Sequence, residues 1–397
     1  MSGLPDASST RVCVLTAAGR GSVAVVAVAG PAAVAAVDCH FRAANGRLLA
    51  DQPIERILFG HWGDAAGEEL IVCRRGVDEV EIHCHGGSQA SARVVEQLTA
   101  AGCMPVDWRQ WLAGRSLCAL TAESHVALAR AATLRVASIL LDQYHGALRQ
   151  AVEAAHADLH DGELERACQR ISRLLEYASV GLHLTEPWNV VIAGRPNVGK
   201  SSLMNALMGY ARALVFDQPG TTRDVLSAMT SFDGWPVRLS DTAGLHRATD
   251  ALETAGIALA RRQLEQADLV VWVLDASRID ENTMLSIHQR VCQQSREAAV
   301  VLDLPHVLAV VNKIDLAPVF SALDERTVAT CATSGAGIED LIAVVAGSLV
   351  PQPPPPGAAV PFAQRQVALL GRALEQCQQK NAAAAVATLQ HLLQGIR

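Results

Sequence analysis

The segment Gly194-Arg195-Pro196-Asn197-Val198-Gly199-Lys200-Ser201-Ser202 has the residue types and spacing of a phosphate-binding loop. An apolar run, 189–193, precedes it, and a stretch with helical spacing, 203–207, follows it. In this order, backbone N–H groups converge on a phosphate at a helix N-terminus. We expect Lys200 to neutralise the β- and γ-phosphates and Ser201 to bind Mg²⁺. The candidate nucleotide-binding residues here are Gly194, Asn197, Val198, Gly199, Lys200, Ser201 and Ser202.

The lysine content supports this interpretation. Of the 33 basic residues, only Lys200, Lys313 and Lys380 are lysines, and two of these three lie in candidate nucleotide motifs. A glycine turn before a helix, with no ligand, is the competing interpretation, and this placement of lysine disfavours it.

Two further segments follow in the order and spacing of a nucleotide-hydrolysing switch protein. In the segment 217–224, Thr222 is a candidate Mg²⁺ ligand when γ-phosphate is present, with Thr221 as second choice. The strand-like run 237–240 then leads into Asp241-Thr242-Ala243-Gly244. We expect Asp241 to hold Mg²⁺ through water and the Gly244 N–H to contact the γ-phosphate. Lys200 and Gly244 are therefore candidate catalytic residues, and Asp241, Thr242, Ala243 and Gly244 are candidate nucleotide contacts.

A third segment carries the chemistry of base selection. The apolar run 307–311 leads into Asn312-Lys313-Ile314-Asp315. The Asp315 carboxylate can accept both N–H groups of a guanine edge, which adenine does not offer, so ATP should be strongly rejected. Farther along, Cys331-Ala332 occupies a position where a backbone N–H meets the guanine oxygen. The sequence thus predicts GTP and GDP binding at Asn312, Lys313, Asp315, Cys331 and Ala332.

Hydrolysis requires a group that orients water, and the usual position for it is apolar in this chain. Small signalling GTPases place a glutamine after the D-x-x-G motif, whereas this chain has Leu245. Asn197 is one replacement candidate, because it could ligate a monovalent cation between the phosphates. Glu253, twelve residues after Asp241, is another, because it could orient water through a second water. A solvated carboxylate at a helix start is an equally good interpretation of Glu253 from the residues alone.

The composition is that of a globular chain with several domains. The 397 residues suffice for two or three domains, with 50% hydrophobic and 18% charged residues. A net charge of −7 gives no broad basic face for nucleic acid, although a local patch is compatible with it. The ten cysteines lack paired C-x-x-C spacing, and no signal peptide or membrane-spanning run is recognisable. We expect a cytoplasmic chain with reduced thiols and no membrane association.

Residues 1–116 predict a small α+β domain. Strand patterns occupy 12–15, 23–29, 56–62, 70–73 and 80–85, and helices are expected at 32–41 and 88–101. In the run 80–85, alternation places Ile82 and Cys84 on one face and the polar Glu81, His83 and His85 on the other. A metal at His83 and His85 is the weaker alternative, because no further ligands follow at recognisable spacing.

Two helical segments flank the nucleotide-binding module. Residues 117–187 and 358–397 have apolar residues every three or four positions, and a proline-rich linker, 351–357, precedes the second segment. Between them, residues 188–350 alternate strands and helices as a doubly wound α/β sheet requires. We therefore expect this P-loop G domain to be inserted into a discontinuous helical domain. The apolar positions proposed for the first helices are Leu128, Ala131, Leu134, Ala137 and Leu141, followed by Leu164, Ala167, Ile171, Leu174 and Leu175.

Taken together, several runs resemble the family of the tRNA-modification GTPase MnmE, also called TrmE. The resemblance lies in 194–207, 220–224, 241–245 and 253–257, and in the N-terminal stretch 81–87. It implies a folate-binding, dimerising N-terminal domain and a homodimer whose G domains meet face to face to hydrolyse GTP with potassium. Asn197 matches the potassium ligand of that family, and Glu253 matches its catalytic glutamate. The implied partners and cofactors are an FAD-dependent MnmG-type protein, tRNA with its wobble uridine, GTP or GDP, Mg²⁺, K⁺ and a tetrahydrofolate derivative.

Three departures from the family pattern concern functions other than GTP hydrolysis. The chain ends in 392–397, Leu-Leu-Gln-Gly-Ile-Arg, where members end in Cys-x-Gly-Lys with a cysteine needed for tRNA modification. The segment 73–79 replaces a Tyr-Thr-Gly-Glu-Asp segment, and 108–111 replaces a Glu-Phe-Thr-x-Arg-like one. The alternative function is therefore a divergent, GTP-controlled assembly or binding module, for example on ribosomes, that has lost the modification activity.

Overall fold

A computed structural model describes most of the chain, which divides into two compact units. The described residues are 9–17, 21–63, 67–115, 118–210, 227–241, 262–279, 287, 289–291, 294, 306–316 and 327–394. The first unit comprises Met1–Val126 with Gln394–Arg397, and the second comprises Ala127–Leu393. Within the described ranges, no helix is both long enough and apolar enough to cross a membrane.

The first unit is built on a seven-stranded sheet with the strand order β3-β4-β5-β6-β2-β1-β7. The core lies between this sheet and the helices, with Val26, Val72 and Leu98 fully buried in it. The elements are β1 (Arg11–Val14), β2 (Val23–Ala29), α1 (Ala33–Asp38), β3 (Phe41–Ala43), β4 (Ile57–Trp62), β5 (Glu68–Gly76), β6 (Glu79–His85), α2 (Ser88–Ala100), β7 (Met104–Pro105), α3 (Trp108–Ala113) and α4 (Ala119–Leu128).

Strand β6 has the alternation that the sequence predicts. Ile82 and Cys84 are buried, whereas His85 is exposed and His83 is half-buried. His83 Nε2 lies 3.6 Å from Glu81 Oε2, and His85 Nδ1 lies 2.9 Å from a Glu68 carboxylate oxygen. In the described part of the chain, no three metal-binding side chains come together. Each of the two histidines lies beside a carboxylate.

The helix predicted over 32–41 is too long at its C-terminal end. Helix α1 ends at Asp38, where the Cys39 N–H donates to Ala35 O and the His40 N–H donates to Val37 O. Phe41 instead begins strand β3 opposite Trp62 and is 3% exposed. Its aromatic ring packs in the core of the first unit from this strand, which suits the preference of aromatic residues for strands.

The second unit contains helices from both sides of the nucleotide-binding sheet. These are α5 (Leu134–Tyr144), α6 (Ala147–His160), α7 (Leu164–Glu176) and α8 (Ala178–Leu182) before the sheet, and, after it, helices that we label α11 (Gln364–Gln378) and α12 (Ala382–Gln394). Helices α7 and α11 pack against each other. The Gln143 side chain also fixes the segment before α11, because it donates to Ala358 O at 2.9 Å and accepts from the Val360 N–H at 3.1 Å. The boundaries of the three predicted domains stay a prediction.

Two of the apolar positions predicted for the first helices, Leu134 and Leu141, are exposed. Helix α4 ends at Leu128, and α5 begins at Leu134 after the N-cap Thr133, whose hydroxyl accepts the Val136 N–H at 3.2 Å. Because this cap starts a new helix, the buried face of α5 does not continue the apolar stripe of α4. Helix α5 buries Val136 and Leu140, while Leu134 is 92% exposed. In α7 the predicted positions hold, since Ala167, Ile171 and Leu174 are all buried.

The nucleotide-binding sheet has six strands in the order β13-β12-β11-β8-β10-β9. All neighbours are parallel except β9 and β10, which form an antiparallel hairpin. This is the doubly wound α/β arrangement that the sequence predicts. The elements are β8 (Trp188–Gly194), α9 (Lys200–Tyr210), β9 (Ser227–Phe232), β10 (Trp235–Asp241), β11 (Leu269–Asp275), β12 (Val307–Asn312), β13 (Thr327–Thr330) and α10 (Ile338–Leu349).

The turn of the β9–β10 hairpin is fastened to the start of α5. The Thr133 hydroxyl donates to Gly234 O at 2.6 Å, and Arg135 Nη1 lies 2.9 Å from Asp233 Oδ2. The Arg135 guanidinium also lies over the Trp235 ring, 5.1 Å from its centroid. These contacts join the helical segment before the sheet to the hairpin whose second strand, β10, ends at Asp241.

Candidate guanine-nucleotide site

Five parallel strands bring polar residues to one edge of the sheet. Strands β8, β10, β11, β12 and β13 end at Gly194, Asp241, Asp275, Asn312 and Thr330. Because the strands are parallel, their carboxyl ends lie at the same edge of the sheet. Strand β10 lies on one side of β8 and the later strands β11, β12 and β13 lie on the other, so the strand order reverses beside β8. Ligands of doubly wound sheets bind at such an edge, outside the point where the strand order reverses.

The loop between β8 and α9 needs glycine at both of its ends. Gly194 has φ +141° and Gly199 has φ +95°, in the region that favours glycine. A β-carbon at Gly194 would overlap the Val273 carbonyl oxygen, and one at Gly199 would overlap the Asn312 amide nitrogen. Asn197, at the exposed tip, also has a positive φ of 64°. Backbone conformation and close packing together explain the glycine spacing seen in the sequence.

Lys200 lies inside this loop. Its ammonium nitrogen donates to Gly194 O at 3.0 Å and to Arg195 O at 2.9 Å, and the residue is 6% exposed. Burial lowers the pKa of this ammonium, while the charge of Asp241 opposes the shift. A cation held among carbonyls at a helix N-terminus can exchange them for phosphate oxygens, which compensate its charge.

Ser201 and Asp241 meet at the first turn of α9. The Ser201 hydroxyl donates to Asp241 Oδ2 at 2.9 Å, and Asp241 is 7% exposed at the end of β10. Hard oxygen donors, one of them anionic, are the ligand type that Mg²⁺ takes beside phosphates. The two residues therefore fit the metal role that the sequence predicts for them. Ser202 is exposed on the same turn.

Asn312 joins the phosphate loop to the loop after β13. Its amide Nδ2 donates to Val198 O at 3.0 Å. Its Oδ1 accepts from the Ala332 N–H at 3.1 Å and from the Thr330 hydroxyl at 3.2 Å. The sequence predicts a guanine contact for the Ala332 N–H, and such a contact would require this N–H to be shared with Asn312 or released from it. Asn312 is 2% exposed, so it acts as a buried connector.

Lys313 makes a second connection to the phosphate loop. Its ammonium nitrogen donates to Asn197 O at 2.7 Å and lies 2.8 Å from Asp275 Oδ2. Burial would raise the pKa of the Asp275 carboxyl, but hydrogen bonds from Lys313 and Ser277 outweigh burial and hold the pKa below its usual value. The Asp275 carboxylate therefore stays charged and orients Lys313.

Sequence reasoning missed Asp275. The sequence does contain a signal for Asp275. It is the last residue of the uniformly buried strand β11, and a buried carboxylate requires a partner. The partner, Lys313, is distant in the chain, so the pair forms no local motif.

Asp315 and Cys331 form the remaining part of the site. Asp315 is exposed in the turn Ile314–Leu316, and the buried Cys331 sulfur lies 3.1 Å from Asp315 Oδ1. The structure thus brings together the predicted residues of the phosphate loop, Asp241 and the base-selecting segments. The predicted residues Thr221, Thr222, Thr242, Ala243, Gly244 and Glu253 lie outside the described residues.

Sequence comparisons with known proteins match both the nucleotide-binding part of the chain and most of its length. A family model described as "50S ribosome-binding GTPase" matches residues 189–313. The chain is 36% identical to the tRNA modification GTPase MnmE of Symbiobacterium thermophilum, over 85% of this chain and 82% of that protein. It is also 34% identical to the MnmE proteins of Shouchella clausii (77% of this chain, 73% of that protein) and Heliobacterium modesticaldum (80% and 74%).

Proposed function

The chain belongs to the family of the tRNA modification GTPase MnmE and is a GTP-hydrolysing enzyme, and from this premise we propose that it is a potassium-activated GTPase acting in modification of the wobble uridine of tRNA. The contacts of Asn312 and Lys313 with the phosphate loop carry the nucleotide part of the proposal. They hold the base-selecting segment and the phosphate loop together, so a guanine on Asp315 would direct its phosphates toward Lys200.

We assign each step of GTP hydrolysis to residues of this site. Lys200 binds the β- and γ-phosphates, and the Gly244 N–H contacts the γ-phosphate. Glu253 orients the attacking water through a second water. Ser201, Asp241 and Thr222 would hold Mg²⁺, which neutralises phosphate charge when bound. Asn197 would hold K⁺, for which its position at the exposed tip of the loop is suitable.

Potassium is expected to accelerate GTP turnover by about tenfold or more relative to sodium, because a cation between the phosphates stabilises developing charge. Asn197→Gly, which removes the amide and tolerates the positive φ of this position, is expected to remove most of this difference. Asn205→Ala, an exposed asparagine on α9, is the matched control and should keep it. The measurement is steady-state phosphate release in each salt at equal ionic strength. Equal rates in potassium and sodium for the unaltered protein would exclude the potassium role.

Glu253→Ala is expected to lower kcat by about 10²-fold with little change in GTP affinity, because it removes a group that orients water in the transition state. Glu265→Ala, an exposed glutamate of the same unit, is the control. Single-turnover hydrolysis and equilibrium binding of a fluorescent GDP separate the two effects. Unchanged turnover would remove Glu253 from the mechanism.

We further propose that the protein acts in the cytoplasm as a homodimer, together with an FAD-dependent MnmG-type partner, and that it uses tRNA and a tetrahydrofolate derivative. It rests on the named function of relatives that align over most of their own length. Mass spectrometry of tRNA from a gene-deletion strain tests it, and the modified wobble uridine is expected to disappear. Unchanged wobble uridines would contradict the proposal.

A second candidate function is a GTP-controlled module that binds ribosomes. The description of the family model matching residues 189–313 favours it. Co-purification separates the two candidates, since the modification function predicts recovery of tRNA with an MnmG-type protein, whereas the second predicts ribosomal particles.

A further inference from the structure

Two thiols lie side by side where helices α7 and α11 pack against each other. Cys168 lies on α7 and Cys377 on α11, and the S–H of Cys377 donates a hydrogen bond to the Cys168 sulfur. We propose that the two cysteines are a redox-sensitive pair, which hydrogen peroxide converts to a disulfide that joins the two helices. The nucleotide site takes no part in this chemistry, which lies outside the proposed function.

Small side chains beside both thiols favour a close approach of the two helices. Ala167 directly precedes Cys168, and Ala373 lies one helical turn before Cys377. Both alanines are fully buried. The distance between packed helix axes depends on the side chains at the contact, so alanines there let the backbones come together. A disulfide requires α-carbons within about 7 Å of each other. We therefore expect the S–S bond to form by rotation of the two side chains, without displacement of either helix.

The two thiols differ in their access to solvent. Cys168 lies near the start of α7, which begins at Leu164, and Cys377 lies in the last turn of α11, which ends at Gln378. Their contact therefore lies at one end of the packed helix pair. Cys168 is half-buried, whereas Cys377 is 1% exposed. A small oxidant from solvent should therefore react first with the Cys168 sulfur.

The surroundings of Cys377 suit it to the second step of disulfide formation. Burial, followed by the charge and the hydrogen bond of Cys168, raises the pKa of the Cys377 thiol to about 11. Cys377 therefore stays protonated near neutral pH, and because the thiolate is the reactive form, it is protected from direct oxidation. Its sulfur reacts only when the neighbouring Cys168 sulfur has become an electrophile.

Hydrogen peroxide is the oxidant of the proposed reaction. The Cys168 thiolate attacks one peroxide oxygen, the O–O bond breaks, and the sulfur becomes a sulfenic acid as hydroxide leaves and takes up the proton that Cys168 released. The Cys377 sulfur then attacks the Cys168 sulfur. The S–S bond forms, the S–O bond breaks, and the departing hydroxide takes the Cys377 proton. The two thiols lose two protons and two electrons, and the peroxide becomes two waters. A dithiol reductant restores both thiols by exchange and is itself oxidised to a disulfide.

Mass spectrometry of the full chain after treatment with hydrogen peroxide tests the pair. Once the remaining thiols are alkylated, digestion without reductant is expected to yield the peptides of Cys168 and Cys377 joined, at a mass two hydrogens below their sum. Dithiothreitol should separate them. The proposal is wrong if Cys168 advances to a sulfinic acid while Cys377 stays a free thiol, if either cysteine is joined to a different one, or if both stay reduced.

Thermal unfolding shows whether the bond forms within the native fold. A link between positions so far apart in the chain restricts the unfolded state, so peroxide should raise the apparent unfolding midpoint by about 5 °C or more. Cys168→Ser should remove both the joined peptides and the increase. Cys39→Ser, at an exposed thiol of the first unit, is the matched control and should keep both. An equal increase in Cys168→Ser would contradict the proposal, and if that variant does not fold, the peptides of the unaltered protein decide.

Discussion

Asp315→Asn is expected to reduce the preference for GTP over xanthosine triphosphate by roughly 10⁴-fold, because the asparagine amide would face an N–H of guanine with its own N–H and leave both donors unpaired. In the proposed site the carboxylate of Asp315 would accept the N1–H and the amino N–H of guanine, whereas an asparagine amide would turn a donor toward one of them. Xanthine carries an oxygen where guanine carries the amino group, so it can accept from that donor. The variant should therefore bind xanthosine nucleotides with an affinity near that of the original protein for GTP.

Calorimetric titration of each protein with GTP and with xanthosine triphosphate measures this exchange of specificity. Asp340→Asn is the matched control, since Asp340 is exposed on the first turn of α10, and it should leave the preference unchanged. A variant that loses both nucleotides to the same degree would show that Asp315 supports the loop rather than selecting the base.

Lys200→Ala is expected to lower kcat/KM for GTP hydrolysis by about 10²–10³-fold, the range for removing one preorganised group that stabilises transition-state charge. Lys200 is already desolvated and aimed at the interior of the loop, with its ammonium on Gly194 O and Arg195 O. Its removal leaves the phosphate charges with backbone N–H groups and Mg²⁺ alone. The loss should be larger for kcat than for GDP affinity, because charge builds up on the oxygen between the β- and γ-phosphates only during transfer.

Phosphate release under single-turnover conditions measures this effect, with thermal unfolding to show that the fold is kept. Lys380→Gln is the control, since it changes an exposed lysine beyond the end of α11. A Lys200→Ala variant that retains full turnover would refute the assignment of the loop as the phosphate site.

Local patterns predicted those parts of the fold whose signals lie within a few residues. Strand β2 has the predicted bounds, and α2 ends one residue before its predicted end, because uninterrupted apolar or periodic runs leave few alternatives. The phase of α5 could not be predicted in this way. One capping hydroxyl at Thr133 decides where the helix begins, and the apolar stripe through Leu134 was continuous with that of α4 in sequence.

The candidate site was predictable in its residue types but not in its connections. The order of the motifs identified Lys200, Asp241 and Asp315, because each lies beside an apolar strand. The contacts of Lys313 with Asn197 O and Asp275 depend on which strands are neighbours, and that information is spread over the whole sheet. Such pairings leave no local pattern in a single sequence.

The packing of α7 against α11 has a consequence for the order in which the chain folds. The whole nucleotide-binding sheet lies between these helices in the sequence, so their contact closes a very long loop, and its entropic cost precedes any gain. The sheet, whose strands all lie within 188–350, can form while α11 is still in the ribosome, since domains fold as units during synthesis. Until α11 arrives, Ala167, Ile171 and Leu174 lack part of their cover. The nucleotide-binding sheet should therefore mature first, with the α7–α11 pair completed last.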